Sequence, residues 1–270
     1  MKLEILYNGT VTDTISAGRT AFIPAERRFK TNIIVRAVDE TEVGTEGLVY
    51  AHIPDSDSYA VYKYTGSASK VIIPPVYLGK VVTAIYDSSF FDCRHVTSIT
   101  MPESIDYIGS LAFRNCFGLT EITIPNSVKT IRPGAFLNCT SLTSIYLPDS
   151  VTYLGYSAFG DCSSLSSVRL SNQITVIELT TFLNCTSLTS IVIPNGVHTI
   201  DSSAFVNCTK LEEVFIPTSI TTITTSAFSK CTSLKKVYYE GSEEQWSAIT
   251  IGTNNDYLIN ANRTHNYVPT

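Results

Sequence analysis

Charged side chains are scarce in this sequence: Asp, Glu, Lys and Arg make up 16% of 270 residues, against roughly 25% in a typical soluble domain. Ser and Thr fill the polar positions instead. With 19 Lys and Arg against 24 Asp and Glu, a formal net charge of -5 and no basic run, the surface offers nothing to nucleic acid or an anionic membrane. No apolar stretch approaches the roughly 20 residues a membrane helix needs, so no membrane insertion is expected. The opening MKLEILYNGT lacks the apolar core of about 7 to 15 residues that marks a secretory leader. The expectation is cytoplasmic synthesis, with a final location that is virion-associated or extracellular. The chain also has no C-x-x-C pair, no G-x-S-x-G elbow and no H-E-x-x-H, the local scaffolds of zinc, nucleophile-elbow and metalloprotease chemistry.

What is present is a period. Cys93, Cys116, Cys139, Cys162, Cys185, Cys208 and Cys231 each follow the last by 23 residues, which is the signature of a repeat and not of disulfide pairs. Phe90, Phe113, Phe136, Phe159, Phe182, Phe205 and Phe228 keep the same register, as do Val96, Leu119, Leu142, Leu165, Leu188, Leu211 and Leu234. Within a unit, L-x-x-I-x-I reads as a turn feeding a short strand whose Ile residues point inward. Pro102, Pro125, Pro148, Pro194 and Pro217 end that strand, because proline cannot donate to a ladder; Ser171 stands in the proline position of one unit, a lapse the pattern tolerates. The A-F-x-x-C segment suits a single helical turn that drops Phe into the core. So short a unit cannot enclose its own apolar face. Stacked units can, which predicts a mainly β solenoid with parallel strands.

The pattern I-x-I-P-x-x-V-x-x-I-x-x-x-A-F-x-x-C-x-x-L-x-x-I resembles the BspA-like leucine-rich repeats, from about residue 58 to 250. The resemblance implies a leucine-rich-repeat solenoid and a role in adhesion or surface binding. It divides the chain into a small β module at 1–37, an acidic linker at 38–57, an N-terminal cap and irregular repeat at 58–89, repeats with a helical C-terminal cap at 90–250, and a polar tail at 251–270. In the C-terminal cap, Ser242 and Gln245 have capping-box spacing, predicting a short helix with Trp246 as its plug. Residues 1–37 carry strand-like runs split by Asn8-Gly9 and Ala17-Gly18. They resemble a short module of gut-bacterial phage and prophage proteins, which implies an anchoring segment and a route to homo-oligomers, such as a trimer.

Several residue groups could be read as chemistry. The cysteines, stacked in register with parallel Cβ vectors about 4.8 Å apart, suit disulfides poorly and read as buried structural thiols. Asn138, Asn184 and Asn207 stand in N-C-T sequons, yet they recur because the repeat recurs, and a capping or backbone-bonding role is the better reading of the column. His198 lies near Asp201 and Ser202, a trio that abundant Ser and Asp produce by chance. His52, His95, His198 and His265 show no ligand spacing, so neither metal nor cofactor is expected. Glu212-Glu213 and Glu243-Glu244 read as solvated faces.

One column breaks the polar monotony. The outward residue between the two inward positions of each strand runs Thr100, Thr123, Tyr146, Arg169, Val192, Phe215 and Tyr238. Exposed aromatics beside Arg are enriched at binding surfaces, so Tyr146, Arg169, Phe215 and Tyr238 are the candidate binding residues. The competing explanation is that exposed strand positions favour aromatic and β-branched residues because cross-strand pairs stabilise a sheet. Tyr107 and Tyr153 make a weaker patch on another face. Two functional expectations follow: a non-enzymatic module binding a protein or glycan through the strand face, or a structural appendage of a phage or prophage particle anchored by residues 1–37.

Overall fold

The structure, a computed structural model, describes residues 2–7, 10–16, 33–38 and 44–268. At the N-terminus Lys2–Tyr7 is the middle strand of a three-stranded antiparallel sheet, flanked by Thr10–Ser16 and Ile33–Val38. The Asn8-Gly9 and Ala17-Gly18 turns read from the sequence lie outside the described residues.

From Ser58 onward the chain is a parallel-strand solenoid. Each unit contributes one strand of two to four residues, such as Ser144–Tyr146, to a first face. The following proline ends it, and a turn closes behind it: Val151 N–H donates to the Pro148 carbonyl at 3.0 Å. The V-x-x-I half of the unit then forms a second, two-residue strand, such as Tyr153–Leu154, on a second face. The sequence pattern had indicated only the first of these. In both faces a residue pairs with its counterpart one unit away: Ser144 with Ser167, and Thr130 with Tyr153.

The third side carries the A-F-x-x-C segment, and its expected helical turn takes the form of successive tight turns. Cys139 N–H, for example, donates to the Phe136 carbonyl at 3.2 Å. Two residues per unit sit in the left-handed region there. One column is Asn115, Asn138, Asn184 and Asn207 at φ 58 to 63°, with Asp92, Asp161 and Lys230 in the other units. Asn and Asp tolerate this conformation best among residues with a side chain, which explains the sequon-like column. Their amides also form a ladder: Nδ2 of Asn138 donates to Asn115 Oδ1 at 3.0 Å, and Nδ2 of Asn207 to Asn184 Oδ1 at 2.8 Å.

Inside, the phenylalanines form one continuous stack from Phe90 to Phe228. Successive ring centroids are 5.0 to 5.8 Å apart and the planes lie within 23° of parallel. All are fully buried. Their backbones interlock as well, Phe136 N–H donating to the Ala158 carbonyl of the next unit at 2.8 Å.

Two readings from sequence need correction. Residues 38–57 are not a linker throughout: Leu48–His52 pairs antiparallel with Ser58–Tyr64, so the hairpin that covers the first coil begins ten residues earlier than placed. Leu48 and Tyr50 pack on the core, and their apolar character is what draws this strand in. Ser171 is also more than a tolerated lapse. In three other units a Ser two residues after the proline binds a carbonyl of the preceding unit: Ser104 with Val82 and Ser219 with Val197, both at 2.7 Å, and Ser127 with Ile105. In this unit that position is Gln173, and the buried Ser171 hydroxyl instead donates to the Val151 carbonyl at 2.6 Å. Two departures from the pattern compensate each other.

The C-terminal end is closed by three devices. The short helix Glu243–Ser247 starts on the Ser242–Gln245 capping box and buries Trp246. Arg263 occupies the register of the inward Val237 and lays its guanidinium over the Trp246 ring, 4.0 Å from the centroid. Asn255, fully buried, stands in for a further unit: its Oδ1 accepts from Phe228 N–H at 3.0 Å, and its Nδ2 donates to the Thr224 and Gly252 carbonyls at 2.9 Å.

Phe159→Ala removes a ring from the middle of the stack and should cost about 3–5 kcal/mol, the usual penalty for emptying a core aromatic site; urea unfolding of the variant against the parent measures it. Asn255→Ala leaves the buried Phe228 N–H without its acceptor and should cost about 1–3 kcal/mol. Hydrogen exchange should show the Phe228 amide losing protection while that of Phe136 keeps it.

Candidate functional site

The first face presents the outward column as a ladder, and beyond the sheet that carries Thr100 the rest of it falls into two blocks. Tyr146 pairs with Arg169, and Val192, Phe215 and Tyr238 pair in sequence, with Thr264 of the tail beyond them. Among the described residues no strand pairing joins 167–169 to 190–192.

In the first block Tyr146 is 58% exposed, and the Arg169 guanidinium lies 4.5 Å from its ring centroid. That arginine is already committed. Nη1 donates to the Leu147 carbonyl at 2.8 Å, and the guanidinium meets the Asp149 carboxylate at 3.1 Å. The backbone N–H of Asn172, together with Arg169, holds the Asp149 carboxyl below its ordinary range. Arg169 therefore braces the loop after its neighbouring strand and offers an aromatic-covering face more than a free donor.

In the second block Phe215 and Tyr238 stack with centroids 4.6 Å apart and planes 12° from parallel. Tyr267, which no repeat position announced, packs against both at 5.5 and 4.8 Å. These rings, with Val192, Ile193, Ile216, Pro217 and Glu240, wall an open groove of about 230 Å³. The Lys236–Glu213 ion pair at 2.9 Å lies beside them. The four sequence-chosen residues thus fall into two pairs, and the exposed Val192 lies between them.

Tyr107 and Tyr153 lie on the second face with Thr130 between them, so they form no continuous patch. A different cluster escaped the sequence reading: Phe91 is 45% exposed under the Arg114 guanidinium, and Arg94 lies over Phe117. Arg94 and Phe117 interrupt a column that is otherwise Thr or Ser, a break in the repeat that could have flagged them, whereas the column of Phe91 and Arg114 continues with Leu137, Gly160 and Leu183 and gave no such signal.

A family model for the BspA type leucine rich repeat region matches residues 58–179 and 156–250. The chain belongs to this family. Among solved structures, a leucine-rich repeat protein of T. pallidum is 28% identical, with a TM-score of 0.66 over 72% of this chain and 90% of that one. A leucine-rich repeat protein of Eubacterium ventriosum shares the fold at 18% identity, with a TM-score of 0.55 over 78% of this chain and 66% of that one. A leucine rich cell surface protein of Faecalibacterium prausnitzii matches at 23% identity and a TM-score of 0.49, over 77% of this chain and 97% of that one. No curated protein matches.

In this BspA-type chain the chemistry-bearing residues are tied into the coil. His198 Nδ1 faces the Ser219 carbonyl at 3.3 Å, while Asp201 Oδ1 accepts from Ser202 N–H and from the Thr224 hydroxyl; the three do not form a catalytic relay. Among the described residues no group of three or more His, Cys, Asp or Glu could hold a metal ion, and no helix is long and apolar enough to cross a membrane.

The cysteines are free and buried. From Cys116 onward each thiol donates to the Phe carbonyl of the preceding unit at 3.1 to 3.2 Å. That carbonyl also accepts the N–H of its own unit's cysteine, so both of its lone pairs are used. A small apolar group with one donor is what the position requires. Burial pushes the Cys162 and Cys231 thiols up to about 12 and the edge thiol of Cys93 up to about 11. Since the thiolate is the reactive form, few of the seven cysteines should react with a thiol reagent in native protein, Cys93 first. All seven should react after denaturation without reductant; fewer would reveal bridges.

Proposed function

We propose that this chain is a non-enzymatic recognition module whose strand face binds a protein or glycan ligand. The observation that carries the reading is the aromatic groove of Val192, Phe215, Tyr238 and Tyr267, continued along the ladder by Val192 and Tyr146, both more than half exposed. Large apolar residues left open on a rigid scaffold mark interaction sites. Stability alone does not require them, because Thr100 and Thr123 fill the same column in the first units. Tyr146, Phe215 and Tyr238 act as anchors, and Arg169 orients Tyr146 from its braced position. The reading as a phage-particle appendage has only the sequence of residues 1–37 behind it, since the family match begins at residue 58.

Replacing Tyr146, Phe215 and Tyr238 with Thr keeps β propensity and leaves the Arg169–Asp149 brace in place. On a glycan array and on gut bacterial cells, this triple variant should lose the retention shown by the parent and by a Tyr107→Thr, Tyr153→Thr control, with an unchanged urea midpoint. Equal retention of all three proteins contradicts the strand-face site.

A further inference from the structure

Part of the ladder is already occupied by the chain's own tail. After the short helix Asp256–Ile259, Asn262–Thr264 adds a last parallel strand beside Lys236–Tyr238. The backbone remains anchored past that strand: Asn266 N–H donates to the Gly241 carbonyl at 2.9 Å and Tyr267 N–H to the Tyr239 carbonyl at 3.0 Å. These two anchors set the Tyr267 ring against Phe215 and Tyr238 with its plane inclined by 54° and 46°. It arrives from outside the 23-residue column, as a ligand would.

The geometry of the two ladder rings explains what they accept. Phe215 and Tyr238 stack face to face, 12° from parallel, so each covers a face of the other and their edges point outward. Ring edges carry the positive end of the aromatic quadrupole and favour an inclined second ring. A sugar ring, by contrast, stacks on an open aromatic face flanked by polar groups, and here the flanking walls are Val192, Ile193, Ile216 and Pro217, with Glu240 the only charged one. The backbone contacts add a second element of recognition, since an extended segment running beside the last strand gains main-chain hydrogen bonds as in strand addition to a sheet edge.

We infer that the strand face recognises an extended polypeptide segment presenting an aromatic side chain, seated as the chain's own Tyr267 is seated. This rests on the strand-face reading above and narrows it to one class of partner. The groove beside Tyr267 and the exposed Val192 and Tyr146 provide the positions for such a segment in the intact chain. The tail shows its mode of contact.

The test uses a chain ending at Ala261 and a fluorescein-labelled peptide of residues 262–268. The peptide should bind in trans, detected by anisotropy. Its Tyr267→Ala version should bind at least tenfold more weakly and its Tyr267→Phe version about equally. Phe215→Thr, Tyr238→Thr in the shortened chain should reproduce the tenfold loss. Equal binding of the Tyr and Ala peptides overturns the inference, because the affinity then comes from backbone pairing and the Arg263–Trp246 contact without the aromatic ring. If the shortened chain does not fold, full-length Tyr267→Ala takes its place, probed by saturation-transfer NMR with N-acetyltyrosinamide and methyl β-glucoside. The aromatic amide should bind the variant at least tenfold more tightly than the parent; binding of the glucoside alone, or of neither, overturns the inference. Loss of glycan retention in the triple Thr variant, together with no peptide binding, would retire this inference while leaving the strand-face reading intact.

Discussion

A stretch of 23 residues is too short to enclose its own apolar side chains, and in this chain most groups of a unit are answered by a group of the neighbouring unit. The constraint covers rings, thiols, amides and backbone alike. Phe136 stacks between Phe113 and Phe159, the Cys162 thiol reaches the Phe136 carbonyl, and Asn138 bonds Asn115. Each of these contacts fails if the register slips by one residue. Ser171 and Gln173 show one local compensation: where Gln173 replaces the hydroxyl that Ser104 and Ser219 provide, Ser171 supplies the bond to Val151.

A coil built this way has an unanswered end, and the C-terminal closure meets that need group by group. Asn255 returns the acceptor that the next unit would have given Phe228. Trp246 and Arg263 cover the apolar cross-section, and Asn262–Thr264 pairs the last strand of the first face. The same tail then carries Tyr267 onto the ladder. Closing the fold and shaping the surface groove are thus done by one segment.

The repeated features were legible in the sequence because periodicity converts spacing into contact. The Phe, Cys and Leu columns, the outward ladder and the parallel coil all follow from a fixed step, and the Ser242–Gln245 box is a local signal of known meaning. What escaped occurs once. Asn255 acts across 27 residues on Phe228, Tyr267 sits in a polar tail, and Leu48–His52 lies in an acidic stretch whose apolar residues find a partner only in the assembled cap. The second strand of each unit was hidden for a different reason: two residues are too few to show alternation, and their pairing depends on the neighbouring unit. Arg169 was correctly placed on the ladder, but its ties to Leu147 and Asp149 depend on a loop conformation that spacing does not encode.

The register constraint is tested most directly by deleting one whole unit and comparing it with a deletion one residue shorter. Removing residues 137–159 joins Phe136 to Gly160 and preserves every column, whereas removing 138–159 shifts all later units by one position. Cooperative urea unfolding, followed by far-ultraviolet circular dichroism, should persist in the first variant, with its remaining cysteines still unreactive, and should be lost in the second. Comparable unfolding in both would contradict a coil held together by in-register contacts between successive units.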